Sequence, residues 1–261
     1  MAFDIDYAML SDDEAARLYD RIPELKSGRC PTCRGEGVYR WGGQEVVCDC
    51  HHQIQLAKHY SASGIGVTYQ RLDWPDYQGN DAALDQVADY LLNHDRILSR
   101  GIGLMLYGRP GLGKTMLATL VLKELIRRGY TCYATTFANT IEAFTSTWGD
   151  REEKMWFARK FMHSQVLLLD DLGQELRTSN TNKMPLSTFD SILRSRVQDG
   201  RPTLLTTNMT LDEMDMGFGA ATLSLLREVS INIEFAGDDY RPQVKERTLA
   251  EAASGEIRPI V

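Results

Sequence analysis

From residue 81 onward the chain alternates between two hydrophobic rhythms. Short, nearly unbroken apolar runs occur at "GIGLMLYG" (101–108), "YTCYATTF" (130–137), "QVLLLDD" (165–171), "RPTLLTTN" (201–208) and "INIEFAG" (231–237). Runs of this length predict strands buried on both faces. Between them the apolar positions recur at helical spacing. "DAALDQVADYLLNHDRIL" (81–98) carries Leu84, Val87 and Leu91, and "KTMLATLVLKELIRRG" (114–129) is stopped by Gly129. Helices are also predicted at "NTIEAFTSTW" (139–148), "EEKMWFARKFMH" (152–163) and "LSTFDSILRSRVQDG" (186–200), with short ones at "TLDEMDM" (210–216) and "ATLSLLREV" (221–229). Strands joined by crossover helices predict an α/β fold with a five-stranded parallel sheet covered on both sides.

Ahead of residue 81 the pattern is weaker. "HHQIQLAKHYSASGIG" (51–66) predicts a helix with Ile54, Leu56, Ala57 and Tyr60 inward, stopped by Gly64 and Gly66. "VTYQRLDWPDYQGN" (67–80) reads as a polar-aromatic connector, and "QEVVCDC" (44–50) as a short strand-like run. From Pro242 the periodicity fades, which predicts a weakly structured tail. The expected organisation is a front module (1–66), a linker (67–80), a main domain (81–241) and a tail (242–261).

Composition narrows this picture modestly. Hydrophobic residues make up 43% of the 261, enough for a packed core, and the net charge of −7 argues against a broad nucleic-acid-binding face. The acidic start, "MAFDIDYAMLSDDEAARLYD", lacks a signal peptide's apolar stretch, and no run approaches membrane-spanning length. The expected location is therefore the cytoplasm, with no membrane partner. Structural disulfides are rare there, which shapes the reading of the five cysteines.

Residues Gly108, Arg109, Pro110, Gly111, Leu112, Gly113, Lys114 and Thr115 fit G-x-x-x-x-G-K-[ST], with a strand before and a helix after. The glycines let backbone N–H groups close on phosphate oxygens, and the helix start adds positive partial charge. Lys114 is expected to reach the β and γ phosphates of ATP and Thr115 to hold Mg2+, with Met116 the next residue of the loop. "VLLLDDLG" (166–173) then places carboxylates at the C-terminal end of a buried strand. Asp170 is expected to position Mg2+, and Asp171 to orient or deprotonate the attacking water. Asn208, ending "LLTTN", reads either as an amide holding that water or as a turn residue, with Thr210 the alternative helix cap.

Cys30, Cys33, Cys48 and Cys50 follow the spacing C-x2-C-x14-C-x-C. Four soft thiolates suit tetrahedral Zn2+, and a front module too small to bury much core gains stability from a metal. His51 is the substitute for Cys50, since it restores an x2 spacing from Cys48. Cys132 reads as a small buried hydrophobe. "CPTCRGEG" (30–37) resembles one cysteine-rich unit of DnaJ-type chaperones; a single copy reads as a similar zinc turn rather than a chaperone domain.

Together "GRPGLGKT", "LLLDDLG", "RPTLLTTN", "LSLLREV" and "GDDYR" resemble the DnaC/IstB-like branch of AAA+ ATPases, bacterial and phage replicative-helicase loaders. The likeness runs from about residue 65 to 241, and "CPTC…CDC" before "SGIGVTYQRL" looks like the N-terminal zinc module of phage-type loaders. The resemblance implies an AAA+ P-loop NTPase without a full lid domain. It implies an arginine finger at Arg227, acting on a neighbouring copy's γ-phosphate, and a nucleotide-contacting sensor at Arg241. Many AAA+ proteins have Asp-Glu where this chain has Asp170-Asp171, so slow or gated turnover is expected.

Three function classes follow. The first is loading of a replicative hexameric helicase onto single-stranded DNA, with ATP as an assembly and release switch and the zinc module as the helicase hook. The second is an IstB-type transposition helper ATPase, against which the zinc front argues. The third is an interaction protein holding ATP structurally, against which the acidic pair, Asn208 and Arg227 argue. Candidate single-strand contacts are Arg194, Arg196, Arg201, Phe137 and the segment 148–161, weighed against ordinary helix faces.

Overall fold

The computed structural model describes residues 30, 32–34, 36–146, 150–173, 184–255 and 258–261. The acidic segment 1–29, Pro31 and Gly35 of the cysteine turn, and the end of the helix expected over 139–148 lie outside the described residues. The chain divides into two compact units, Met1–Asp73 with Ile257–Val261, and Trp74–Glu256. Among the described residues no helix is long and apolar enough to cross a membrane.

The smaller unit opens with the cysteine turn and an antiparallel hairpin, β1 (Val38–Trp41) and β2 (Gln44–Val47). Gly42 and Gly43 form the turn with φ of 59° and 83°, the double left-handed geometry that a two-residue hairpin needs. Only its second strand was legible in the sequence, because four residues with no buried position leave little pattern. Helices α1 (Asp49–Ala62) and α2 (Val67–Gln70) follow. Residues 258–261 complete this unit. Ile260 is buried, its amide donates to Gln53 Oε1 at 2.6 Å, and Gln53 Nε2 donates to its carbonyl at 3.0 Å. The Val261 amide donates to the Gln70 carbonyl at 3.1 Å.

The larger unit is built on one five-stranded parallel sheet of β3 (Gly103–Gly108), β4 (Cys132–Thr136), β5 (Val166–Leu172), β6 (Thr203–Thr207) and β7 (Ser230–Phe235), in the order β4-β5-β6-β3-β7. The five strands are those expected from the apolar runs. Their helices are α3 (Asp81–Leu92), α4 (His94–Leu98), α5 (Lys114–Arg127), α6 (Phe137–Ser146), α7 (Arg151–Phe157), α8 (Met184–Gln198), α9 (Leu211–Phe218), α10 (Ala220–Val229) and α11 (Arg241–Ser254). One layer of the core packs Phe137, Phe189 and Phe218 with Leu169 and Leu205 of the sheet.

Three helical expectations change. The helix expected over 81–98 breaks at Asn93, whose side chain donates to the Asp89 carbonyl at 2.9 Å and competes with the next turn. The helix expected over 152–163 ends as a π turn, Ala158–Met162, closed by His163 N–H to the Ala158 carbonyl at 2.9 Å. The extra residue in that turn brings Lys160 inward, 4.9 Å from the Tyr133 ring centroid. The stretch from Pro242 is not weakly structured: α11 occupies it, with Pro242 in its first turn and Gly255 in the left-handed conformation at its end. None of its residues is buried, so no apolar stripe announced it.

Two single-strand candidates are interior residues. Phe137 and Arg196 are fully buried. Arg196 donates to the backbone carbonyls of Phe161, Ser164, Gln165 and Pro202 at 2.7–3.2 Å, and to Thr203 Oγ1 at 3.0 Å. It lies at the N-terminal ends of β5 and β6, where one guanidinium gathers four carbonyls, of which Pro202's also accepts the Leu167 N–H at 3.4 Å. Burial lowers its pKa to about 9. Arg194 pairs with Asp190 at 2.7 Å and Arg201 donates to the His163 carbonyl at 2.7 Å. Replacing Arg196 by Met takes the guanidinium from all of these buried carbonyls, and urea unfolding should show a loss of about 3 kcal/mol or more. A midpoint equal to the parent's would show that these bonds carry no net stability.

Candidate active site

In the order β5-β6-β3, three adjacent strand ends meet, and each delivers part of one polar cluster. Gly108 ends β3 with φ of 137°, and a side chain there would strike the Phe235 carbonyl. Gly111 has φ of 85°, and a side chain would strike the Asp239 carboxylate. The loop therefore requires glycine both for its backbone and for its neighbours. Gly113 begins α5, and Pro110 sits exposed on the loop. Lys114 curls back over the loop, donating to the carbonyls of Gly108 at 2.8 Å and Arg109 at 2.7 Å. Burial lowers its pKa to about 8; Asp171 and Asp170 pull it up and Arg241 pushes it down.

Asp170 and Asp171 are adjacent in β5. Consecutive strand residues ordinarily face opposite sides of a sheet. Here the β5–β6 register shifts between Leu169, opposite Leu205, and Leu172, opposite Thr207. Asp171 takes φ of 55°, one of two described non-glycine residues with positive φ. The bulge turns both carboxylates into the cluster. Thr115 Oγ1 donates to Asp170 Oδ1 at 2.9 Å, and Thr206 Oγ1 donates to the same oxygen. Asn208 Nδ2 donates to Asp171 Oδ1 at 2.8 Å. Burial raises the Asp170 pKa, against the hydrogen bonds from Thr206 and Thr115.

The structure thus brings Lys114, Thr115, Asp170, Asp171 and Asn208 together, with Arg241 close enough to act on Lys114. Asn208 is not a helix cap; Thr210 caps α9, in a reciprocal box with Glu213. Arg227 is exposed near the end of α10, and no hydrogen bond of the cluster involves it. Three contributors escaped the sequence reading. Thr206 is hidden within an apolar strand. Asp239 packs on Gly111 and accepts from the Arg241 amide at 2.9 Å, while the Tyr240 amide donates to the Gly111 carbonyl at 3.0 Å. Tyr77, from the presumed linker, lies against Gly113. A hydroxyl and a buried carboxylate oxygen in contact are hard ligands of the type Mg2+ takes beside phosphates, so Thr115 and Asp170 fit that ion.

In the smaller unit, Cys30, Cys33, Cys48 and Cys50 place their sulfurs within 4.8 Å of one another. Cys30 and Cys48 sulfurs are 3.6 Å apart, and those of Cys33 and Cys50 3.4 Å. A tetrahedron with Zn–S of about 2.3 Å has edges of about 3.8 Å, so the set fits zinc. The Gly37 amide donates to Cys33 Sγ at 3.3 Å, and the Cys33 and Thr32 amides lower the Cys30 pKa to about 6. Burial pushes the Cys50 thiol up. His51 instead meets Gln55 at 3.1 Å, so the sulfurs close the group without it. Cys132 is buried in β4.

The family described as IstB-like ATP binding protein matches residues 67–248. The replicative helicase loader DnaI of Bacillus subtilis is 28% identical over 156 residues, which cover 59% of this chain and 48% of DnaI. The chain thus spans about half the length of that relative. The replicative helicase loader DnaC of Escherichia coli is 25% identical over 199 residues, 73% of this chain and 78% of DnaC. A crystal structure of the DnaC helicase loader superposes with a TM-score of 0.56 at 22% identity, covering 65% of this chain and 99% of that one.

The sulfur cluster yields a metal-content test. Protein purified without added metal should carry one zinc per chain by mass spectrometry, and Cys33→Ser should lower that at least tenfold. Full zinc occupancy in Cys33→Ser would remove these thiols from the site.

Proposed function

The chain belongs to the family of IstB-like ATP binding proteins, and from that premise we propose that it hydrolyses ATP to load a replicative ring helicase onto single-stranded DNA. The observation that carries the reading is the convergence of Lys114, Thr115, Asp170, Asp171 and Asn208 at the ends of adjacent parallel strands. In the resting cluster Lys114 is occupied by two loop carbonyls. Phosphate oxygens are stronger acceptors, so ATP draws the ammonium away from them. Thr115 and Asp170 would hold Mg2+, which when bound neutralises charge on the phosphates. Asp171, held by Asn208, orients a water for in-line attack. The water oxygen bonds to the γ-phosphorus, the bond to the ADP oxygen breaks, and the water's proton passes to the Asp171 carboxylate.

Arg227 stands outside this cluster and is exposed, as a group serving another copy's site would be. Its fixed positive fork neutralises charge developing on a neighbour's γ-phosphate. Binding of ATP then holds copies together and hydrolysis releases them. The zinc-braced unit serves as the rigid element that grips the helicase, and the protein works in the cytoplasm. The transposition-helper alternative is not adopted, because the two relatives named above are replicative helicase loaders. No residue is assigned to single-stranded DNA: two of the sequence candidates are interior and two hold partners within the chain.

Asp171→Asn tolerates the positive φ and should bind ATP as the parent does while hydrolysing it at least a hundredfold more slowly. Unchanged phosphate release would exclude Asp171 as the base. Arg227→Ala should bind ATP but lose turnover, and mixing it with Lys114→Ala should restore part of it. A mixture as inactive as its components would argue against a finger acting between copies. Helicase from the cognate cell should be retained on the immobilised parent chain and lost with Cys33→Ser; retention by both would separate the zinc unit from helicase binding.

A further inference from the structure

The irregularity in β5 has a partner on β6. Between the paired positions Leu169–Leu205 and Leu172–Thr207, β5 has two residues, Asp170 and Asp171, and β6 has one, Thr206. A two-against-one bulge interrupts the backbone ladder and leaves an amide in need of an acceptor. Thr206 Oγ1 accepts the Asp171 N–H at 2.9 Å and donates to Asp170 Oδ1. One hydroxyl therefore replaces the missing ladder bond and fixes the rotation of the neighbouring carboxylate. Its neighbour closes the far side: Thr207 Oγ1 donates to the Leu172 carbonyl at 2.6 Å and accepts from the Met209 N–H at 3.1 Å.

We propose that Thr206 is a positioning residue of the hydrolytic centre, the group that keeps Asp170 and Asp171 on the phosphate side of the sheet. It touches neither substrate nor metal in this role; it acts through both acids. Asp170 Oδ1 accepts from Thr115 as well. When Thr115 turns its oxygen to Mg2+, Thr206 is the donor that still orients the carboxylate. The proposal rests on the ATPase reading above, and it deepens that site rather than adding another. The hydroxyl is the operative part, since valine has nearly the same shape and neither donates nor accepts.

The test compares full-length parent, Thr206→Val, Thr206→Ser and Lys114→Ala. Affinity for a fluorescent ATP analogue is measured in EDTA and across a Mg2+ titration, alongside phosphate release. In EDTA, Thr206→Val should bind the analogue within about twofold of the parent. It should need about tenfold more Mg2+ for the half-maximal affinity change and turn over about tenfold to a hundredfold more slowly, the loss of a hydrogen bond to a charged group. Thr206→Ser should restore both to within about threefold. A Thr206→Val protein with the parent's Mg2+ titration overturns the proposal. So does Thr206→Ser as impaired as Thr206→Val, because the methyl group would then be what matters. If Thr206→Val does not fold, Thr206→Ala takes its place in the same comparison. A parent that releases phosphate no faster than Lys114→Ala defeats the ATPase reading instead, and the Mg2+-linked affinity still decides the case of Thr206.

Discussion

A strand buried on both faces can offer only every second side chain to a given side. A centre that needs two neighbouring carboxylates in one place has to break that alternation. In this protein the break is the bulge at Asp170 and Asp171, with one of them at positive φ and both set against a single residue of β6. The other features of the site presuppose it. Thr115 meets Asp170, and Asn208 meets Asp171, only because the two acids lie on the same side. Such a bulge is rare in parallel sheets and strained at Asp171. It persists because threonines on β6 fill the hydrogen bonds that the ladder gives up.

This arrangement explains which parts of the molecule were legible in the sequence. The five strands were, because buried parallel strands are written as apolar runs. The phosphate loop was, because its glycines and its lysine sit at fixed spacing. The bulge was not, since "LLLDDL" reads as an ordinary strand end and Thr206 as one more β-branched residue. Helix α11 was missed for the opposite reason. It buries nothing, so only its end signals, Pro242 and Gly255, marked it, and those also suit a loop. Arg196 was misread because sequence shows charge and not burial; its partners are carbonyls, which leave no trace in residue identity.

The smaller unit meets a different constraint. Its described buried residues include three cysteines and a few helix positions, while the strands of its hairpin are largely exposed. A hairpin of this size is not stable by itself. Four thiols grouped closely enough to hold a metal fit such a unit, and the grouping was legible in the spacing of Cys30, Cys33, Cys48 and Cys50. Where the spacing left Cys50 or His51 open, the structure groups Cys50 with the other sulfurs: α1 begins at Asp49, and its first turn carries Cys50 to them while His51 meets Gln55.

The last link runs from the phosphate loop to α11. After β7 the chain passes directly over Gly111, where the Tyr240 amide and the Asp239 carboxylate make contact, and Asp239 in turn accepts the amide of Arg241. The phosphate loop and the start of α11 are therefore joined by one backbone hydrogen bond and through the Asp239 side chain. Arg241 and Lys114 repel each other across the loop, and burial already makes the ammonium hard to keep charged. The two aspartates offset this only in part, because Asp170 is itself held toward its neutral form by burial. Two cations facing one loop are a charge arrangement that favours a polyanion there.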